Sequence, residues 1–595
     1  MRTTAWWLAA FLSLAAALPA QPIPGRLERA GIMIERREYA DALALLDSIG
    51  TDSLARPLAC RAHLLRGQYQ SALLCATEIA ILWPETAGGR AALWQAAYAS
   101  ERLGLLDDAI ALYRRAAGRE PGLAEYAGFR IDRCRVKQRT RPGRKGSVGD
   151  LFRPGKGPAA AASPTAGSTL SPGTAGAGKR PYALKLAARH VKRKRYEAAR
   201  KLLAGFIAGN PRSGYRGEAA YQIAKGWERQ GKLAEAESAY RAAAAVDPAS
   251  RWADDALFRC GWCQLKMGDS SGALATWEAV RAGRGDADQR AAALYWSASL
   301  MTSRGDSAAA GGLLNQLRRS YARSYYGLKA GGPIAAPAAD TSGLPEGEPL
   351  RPLPAAYDSA PITQDGLFLL ARTLAGYGLA DDAASAAAAV EPRYARDPRS
   401  LYHLARIYAD CGNDQRAIGL AQRALSQCGD DRPAEMLALA YPRTYLGAIL
   451  RHSDDHGLDP AMVLAVIHKE SRFAEKSRSR AGARGLMQIM PRTGRLLSGD
   501  RRFRKDSLYD PMLSIRFGTR FLARMLDEFG GSWPQALAAY NAGPGRVRQW
   551  RTGAVSRRDD DHFLEEIFIP ETKRYIMAVM ENCYIYRQLL GEERT

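Results

Sequence analysis

The sequence predicts an all-α protein: a helical-repeat superhelix (an α-solenoid) that leads into a separate C-terminal block. Two observations point there. From residue 26 onward the chain is rich in Ala, Leu, Arg and Tyr, and apolar residues recur at the 3.6-residue period of an amphipathic helix, broken by Gly and Pro. Along that stretch one pattern returns: Ala109, Tyr113, Ala116 and Pro121 are spaced like Ala236, Tyr240, Ala243 and Pro248.

Taken in order, residues 1–20 read as a cleaved secretory signal. Arg2 precedes an apolar run from Ala5 to Leu18, which is short of the roughly 20 residues a bilayer span needs. The mature chain is therefore expected outside the cytoplasm, in the periplasm or another extracytoplasmic space. Residues 21–138 and 181–440 hold the repeats. Partial copies lie at Ala273, Trp277 and Val280, at Ala383, Ala387 and Val390, and at Ala417, Ala421 and Ala424. They resemble tetratricopeptide-type helical hairpins, which bury their apolar faces only against neighbours and so stack into a solenoid. An irregular helical bundle is the alternative.

Two interruptions divide the repeats. Residues 139–180 are loaded with Gly, Pro, Ser and Ala and have almost no large apolar side chains, so a disordered linker is expected. Its approach is basic, through Arg133, Arg135, Lys137, Arg139, Arg141, Arg144 and Lys145, which suits either a solvated tether or one held to the wall or membrane. The second, Gly331 to Gly366, is Pro-rich and reads as a connecting loop.

Lys and Arg exceed Asp and Glu by 85 to 61, a net charge of +24 that favours a polyanionic partner. Nucleic acid is excluded as that partner by the signal and by the lack of any recognition motif. The eight cysteines are scattered. Cys260 and Cys263 form one Cys-x-x-Cys without a second pair to complete a metal site, so a structural role is expected and no metal.

The chemistry-bearing residues begin at Gly457-Leu-Asp-Pro, where Asp459 can cap a helix and Pro460 can start it. Val463, Ile467 and Glu470 then fall on one face, which places the Glu470 carboxylate beside apolar side chains. Desolvation raises a carboxyl pKa, as a general acid requires. A helix-end Glu in solvent is the plain alternative. Next comes Ser479-Arg-Ala-Gly-Ala-Arg-Gly-Leu-Met-Gln-Ile-Met-Pro491, a Gly-punctuated turn expected to enter a short helix near Leu486. Two further blocks follow, Ala539-Tyr540-Asn541-Ala542-Gly543-Pro544-Gly545 and Ile569-Pro570-Glu571-Thr572-Lys573-Arg574-Tyr575-Ile576.

These four blocks, in this order and with Tyr441-Pro442-Arg443 before them, closely resemble the soluble lytic transglycosylases, whose catalytic domain is goose-type-lysozyme-like. The resemblance covers 441–590. It implies that Glu470 is the sole catalytic acid and base, that Ser471 supports it, and that Ser479, Gln488 and Met490 line the glycan subsites. It also implies that Tyr540 stands near the carboxylate, that Asn541 holds its loop, and that Glu571 and Tyr575 belong to the site floor. Capping and core packing are the alternative roles for this last pair. The sequence departs from the family at Gly494, where Ala is usual, at Ser514, where Asn is common, and in the 139–180 segment, which would interrupt a continuous superhelix.

The implied reaction cleaves the MurNAc-GlcNAc β-1,4 bond of peptidoglycan and leaves 1,6-anhydro-MurNAc ends. It is a lyase reaction that needs no cofactor. Asp500, Asp506 and Asp510 follow Glu470 in a loop-like stretch without a matching block and receive no second catalytic role. A hydrolytic muramidase of the same fold, or a helical-repeat envelope scaffold with a glycan-binding domain, are the rival readings. Partners beyond glycan strands stay open: peripheral association with the envelope, and proteins of wall synthesis or secretion.

Overall fold

The computed structural model describes residues 25–49, 54–140, 181–248, 250–283, 286–331, 354–428, 433–552 and 559–591. The expected signal 1–20 lies outside the described residues, as do 141–180 of the expected linker and 332–353 of the second interruption. Among the described residues the elements are α-helices and short 3₁₀ turns. Two isolated antiparallel bridges, Arg478 with Arg484 and Arg484 with Ile489, add a short extended pairing. The all-α class is therefore what the chain forms.

The repeat residues explain why the helices pack as hairpins. Ala109, Tyr113 and Ala116 are buried, and so are Ala236, Tyr240 and Ala243, and the three partial copies at 273–280, 383–390 and 417–424. A small residue at i and an Ala or β-branched residue at i+7 flank a central one at i+4, and this stripe lets a neighbouring helix approach closely. A sixth copy, Ala72, Ala76 and Ile79, is buried in the same way. Each central residue is preceded nine positions earlier by a glycine with positive φ, among them Gly104 at 82° and Gly231 at 74°. These glycines end the first helix of each hairpin in the left-handed conformation that lacks a Cβ penalty.

A charged layer runs through the repeats as well. Tyr113 donates to Glu101 at 3.2 Å, and Arg130 pairs with the same carboxylate, whose side chain is fully buried. Tyr240 donates to Glu228 at 2.7 Å, and Arg259 pairs with it in turn. Each buried acid is thus neutralised and hydrogen-bonded, which a charge in a low-dielectric core requires. The helix Ala124–Thr140 carries Arg133, Arg135 and Lys137 and continues to Thr140.

The chain divides into two compact units. One comprises residues 1–160, 346–524 and 585–595, the other 161–345 and 525–584. In the first unit the core joins the early hairpins to those of 357–440. In the second, Cys260 and Cys263 sit in a core with Tyr221, Tyr240 and Ala243, so both act as small apolar side chains there. All eight cysteines are free thiols. No helix among the described residues is long and apolar enough to cross a membrane.

Candidate active site

Helix Pro460–Ser471 begins as its sequence suggests: the Asp459 carboxylate accepts from the Ala461 amide at 2.8 Å, and Pro460 occupies the first turn. Arg587, near the end of the last helix, donates to the other Asp459 oxygen at 2.7 Å. Residues 461–468 are buried without a break, so this is a core helix rather than a surface one. His468 packs its ring on Tyr441 with centroids 5.1 Å apart and 14° between planes, and its Nε2–H donates to the Ala440 carbonyl at 3.0 Å. Burial lowers the imidazole pKa to about 4, so this ring is neutral at working pH.

Tyr441-Pro442-Arg443 forms a seam with the chain end in the same unit. The Tyr586 hydroxyl donates to the Pro442 carbonyl at 3.1 Å, and Arg443 donates to the Leu589 carbonyl at 3.3 Å.

Glu470 stands half-buried in the last turn of that helix, after the buried Val463 and Ile467. Ser471 is buried and donates its hydroxyl to the Ile467 carbonyl at 3.2 Å, an intrahelical bond, so it secures the helix end. The chain then turns sharply through Arg472 and Phe473, at φ 51° and 60°. Phe473 is buried beneath the turn.

The second block is a tight loop. The helix expected to start near Leu486 is absent there: Gly485 to Gln488 form a turn, and the helix starts at Pro491. Pairing of Arg484 with both Arg478 and Ile489 takes the backbone groups that a helix would have used. Ser479 accepts from the Ala483 amide at 3.0 Å through its hydroxyl. Gln488, at φ 48°, donates its amide to the Ser477 carbonyl at 3.1 Å and the Gly485 carbonyl at 2.8 Å. Both N–H groups are committed to holding the loop, which leaves Oε1 as the atom able to accept from a ligand. Met490 is 42% exposed, an apolar side chain displayed beside the loop.

The two departures from the family have local explanations. A Cβ on Gly494 would lie 2.9 Å from the Phe503 ring, so the ring occupies the volume of the usual Ala methyl. Ser514 is fully buried, and its hydroxyl accepts from the Met487 amide at 3.2 Å.

Asp500, Asp506 and Asp510 all serve local structure. Asp500 accepts from the Arg502 amide at 2.7 Å, Asp510 caps helix Pro511–Glu528 by accepting from Leu513 at 2.8 Å, and Asp506 pairs with the buried Arg484. Arg484 also lies over the Tyr509 ring, 5.5 Å from its centroid.

In the second unit Tyr540 is half-buried in helix Trp533–Ala542, and Asn541 is exposed at its end. Thr572 donates to Asn541 Oδ1 at 2.8 Å, which ties the third block to the fourth. Glu571 is exposed in the first turn of helix Pro570–Gly591, whereas Tyr575 is buried. Lys573 of the fourth block donates to Glu565 at 2.6 Å. Glu565 is buried and also accepts from Trp296 at 3.2 Å and from Tyr326. Burial pushes its carboxyl pKa up, but Lys573, Tyr326 and Arg259 outweigh that and hold it below the ordinary value.

Thus Glu470, Ser471, Ser479, Gln488 and Met490 belong to the first unit, and Tyr540, Asn541, Glu571 and Tyr575 to the second. Sequence reasoning did not single out Arg484, Thr572 and Glu565. Arg484 and Thr572 lie inside quoted blocks, and the only signal for them was a polar residue set among apolar ones.

Comparison with known proteins fits this geometry. The family model described as Transglycosylase SLT domain matches residues 447–563, and a tetratricopeptide repeat matches 255–282. The chain is 29% identical over 363 residues to the soluble lytic murein transglycosylase of Escherichia coli K12, an alignment covering 59% of this chain and 53% of that protein. It is 36% identical over 117 residues to membrane-bound lytic murein transglycosylase C of Glaesserella parasuis, covering 18% of this chain and 32% of that one. The chain thus spans about half the length of the first of these relatives. In fold it is similar to the crystal structure of the 70 kDa soluble lytic transglycosylase of Escherichia coli, with TM-score 0.52, 19% identity, and coverage of 99% of this chain and 92% of that one. An inactive variant of the lytic transglycosylase of Pseudomonas aeruginosa gives TM-score 0.51, 20% identity, 95% and 86%. The resemblance read from the four blocks is borne out, tetratricopeptide-like helices and lysozyme-like catalytic segment alike.

Proposed function

We propose that this chain, a soluble lytic transglycosylase by its catalytic segment and its helical repeats, cleaves the MurNAc-GlcNAc β-1,4 bond of peptidoglycan and leaves 1,6-anhydro-MurNAc ends. The observation that carries the reading is Glu470: a half-buried carboxylate that closes a buried helix inside the matched SLT segment. Glycoside cleavage needs a proton on the leaving oxygen and stabilisation of the cationic C1. Glu470 supplies the proton. Asp500, Asp506 and Asp510 are spent on local structure, which favours a reaction with one protein carboxyl over one with two.

The substrate then supplies what a second carboxylate would. The N-acetyl group of the muramic sugar assists at C1, and Glu470, now a base, takes the proton from that sugar's 6-hydroxyl. The 6-oxygen closes on C1, and no water enters. Ser479, the Gln488 Oε1 atom and Met490 are the proposed glycan contacts in the first unit. Tyr540, Asn541, Glu571 and Tyr575 are those of the second, on the strength of their motif blocks. The net +24 charge suits an anionic wall, and residues 1–20 suit export to the periplasm or its equivalent. Peripheral envelope association and recruitment by wall-synthesis or secretion proteins fit the same location.

The test is mass spectrometry of products from purified peptidoglycan treated with wild type and with Glu470→Gln. Anhydromuramic ends released by wild type alone are expected. Reducing ends would instead assign a hydrolytic muramidase, and no release by either protein would leave a glycan-binding scaffold.

A further inference from the structure

Three consecutive residues at the turn between helix Gly25–Glu35 and helix Tyr39–Asp47 reach the segment that carries Glu470. All lie in the first unit. The Arg36 carbonyl accepts from the Tyr445 amide at 2.8 Å, and the Glu38 carboxylate accepts from the Gly447 amide at 2.6 Å. Between them Arg37, at φ 58°, sends its guanidinium inward, where it is 8% exposed.

That guanidinium makes an unusual number of bonds. Nη1 donates to Glu475 Oε1 at 3.2 Å and to the Tyr445 hydroxyl at 3.4 Å. Nη2 donates to the Gly412 carbonyl and pairs with the buried Asp414 at 2.8 Å. Asp414 in turn accepts from Thr444 at 3.1 Å, and the Tyr445 hydroxyl donates to the same Glu475 oxygen. A fork of five N–H donors suits this many partners, as a lysine ammonium would not.

The placement of these partners matters. Helices Leu446–Asp454 and Pro460–Ser471 form a packed hairpin. Thr444 to Gly447 is its entrance, and Arg472 to Glu475 is its exit, directly after Glu470. Arg37 therefore grips both ends of the hairpin at once. The exit passes through two successive left-handed residues, a backbone that persists only when its surroundings enforce it. Phe473 is pinned by burial and Glu475 by Arg37 and Tyr445.

We propose that Arg37 and Glu475 are positioning residues for the reaction, acting through this clasp to fix the carboxylate of Glu470. This rests on the reading of Glu470 as the acid. Misplacing a reacting group by a fraction of an ångström lowers turnover more than it lowers binding. Because Arg37→Met would leave the buried Asp414 unpaired, the deciding variant is Glu475→Gln, whose side chain is 35% exposed and which leaves the Arg37–Asp414 pair intact.

The experiment is steady-state release of anhydro-ended fragments from soluble glycan strands by the full chain, well below its melting temperature, alongside thermal melts. Glu475→Gln is expected to lower kcat about tenfold with KM changed less than about twofold and little change in melting temperature. Arg37→Lys should fall between wild type and Arg37→Met, and Glu475→Gln should add no further loss in the Arg37→Met background. A Glu475→Gln protein with wild-type kcat, or one whose loss lies wholly in KM, would overturn the positioning role while the activity itself stands. A wild type that releases no anhydro ends would sink the functional reading first.

Discussion

Gly482 and Gly485 lie three residues apart in the loop that follows Glu470, and replacing each with alanine should give quite different results. Both have positive φ, 95° and 76°, so a Cβ on either adds roughly 1–2 kcal/mol of backbone strain. For Gly482 that is all, because nothing lies within 4 Å of the added carbon. At Gly485 the Cβ would stand 1.9 Å from the Leu508 carbonyl oxygen and 2.9 Å from Ser514 Oγ. Leu508 is buried within the 3₁₀ turn Lys505–Tyr509 and cannot swing aside as a side chain could. Displacing it is an overpacking cost of about 1–3 kcal/mol, and disturbing the Ser514 bond to Met487 adds about 1 kcal/mol. Gly485→Ala should therefore lose at least about 2 kcal/mol more than Gly482→Ala. Urea titration of the full chain, with hydrogen exchange followed peptide by peptide across 477–490, separates local opening from global unfolding. Equal destabilisation by the two variants would show that the contact with Leu508 does not constrain this loop.

Four further outcomes follow from buried polar groups. His468, its pKa lowered to about 4, remains neutral in the fold while the unfolded chain binds protons below the ordinary histidine value. Stability should thus be present at neutral pH and be lost as pH falls through about 6.5 towards 4, and NMR of the imidazole should show no titration above about pH 5. Burial, with Arg229 and Arg259 nearby, lowers Lys225 to about 7. Its fold should gain stability from about pH 7 to 10, by up to about 1.4 kcal/mol per pH unit, and Lys225→Met should flatten that rise in urea midpoints. Glu565→Gln leaves Lys573 and its neighbours facing a neutral amide and should cost about 3–5 kcal/mol by denaturant titration. Thr572→Val, which removes the bond to the exposed Asn541, should cost only about 0.5–1.5 kcal/mol and speed exchange at the 541–545 backbone.

Much of the fold could be read from the sequence because it rests on local periodicity. The Ala-Tyr-Ala stripe at 109–116 and its copies are all buried, and Asp459 and Pro460 start their helix as their chemistry requires. The copy at Ala72 is harder to see in the sequence because it ends on Ile79 where the others end on Ala or Val. The glycine nine residues before each centre would have revealed it. The helix that the sequence predicts near Leu486 gives way to a turn at 485–488: Leu-Met-Gln-Ile has good helix propensity, while the competing bridges through Arg484 depend on residues that the spacing does not mark. The resemblance implies Gln488 as a glycan-lining residue, and what the sequence does not tell is that its amide hydrogens hold the loop's own carbonyls and leave Oε1 for a ligand.

The hardest residues to foresee are arginines on helical repeats, because an Arg on an amphipathic helix reads as a solvent-facing one. Arg259 is an example. It is buried, pairs with Glu228, and donates to the Glu565 carbonyl at 2.8 Å, more than 300 residues away in sequence. In the other unit Arg37 does the equivalent for Glu475 and Asp414. In each case a repeat supplies a fork of donors, and the SLT stretch or the residues just beyond it supply the acceptor. A repeat array that only spaced the catalytic segment would need no such buried ions, because apolar side chains of similar volume stabilise a packed interface as well or better. Charged pairs instead fix one orientation, since a carboxylate displaced from its guanidinium is left unpaired in a low-dielectric setting. The repeats are thus expected to act on the geometry of the catalytic segment within each unit. Substitutions at Arg37 or Arg259 should then change turnover without touching the glycan.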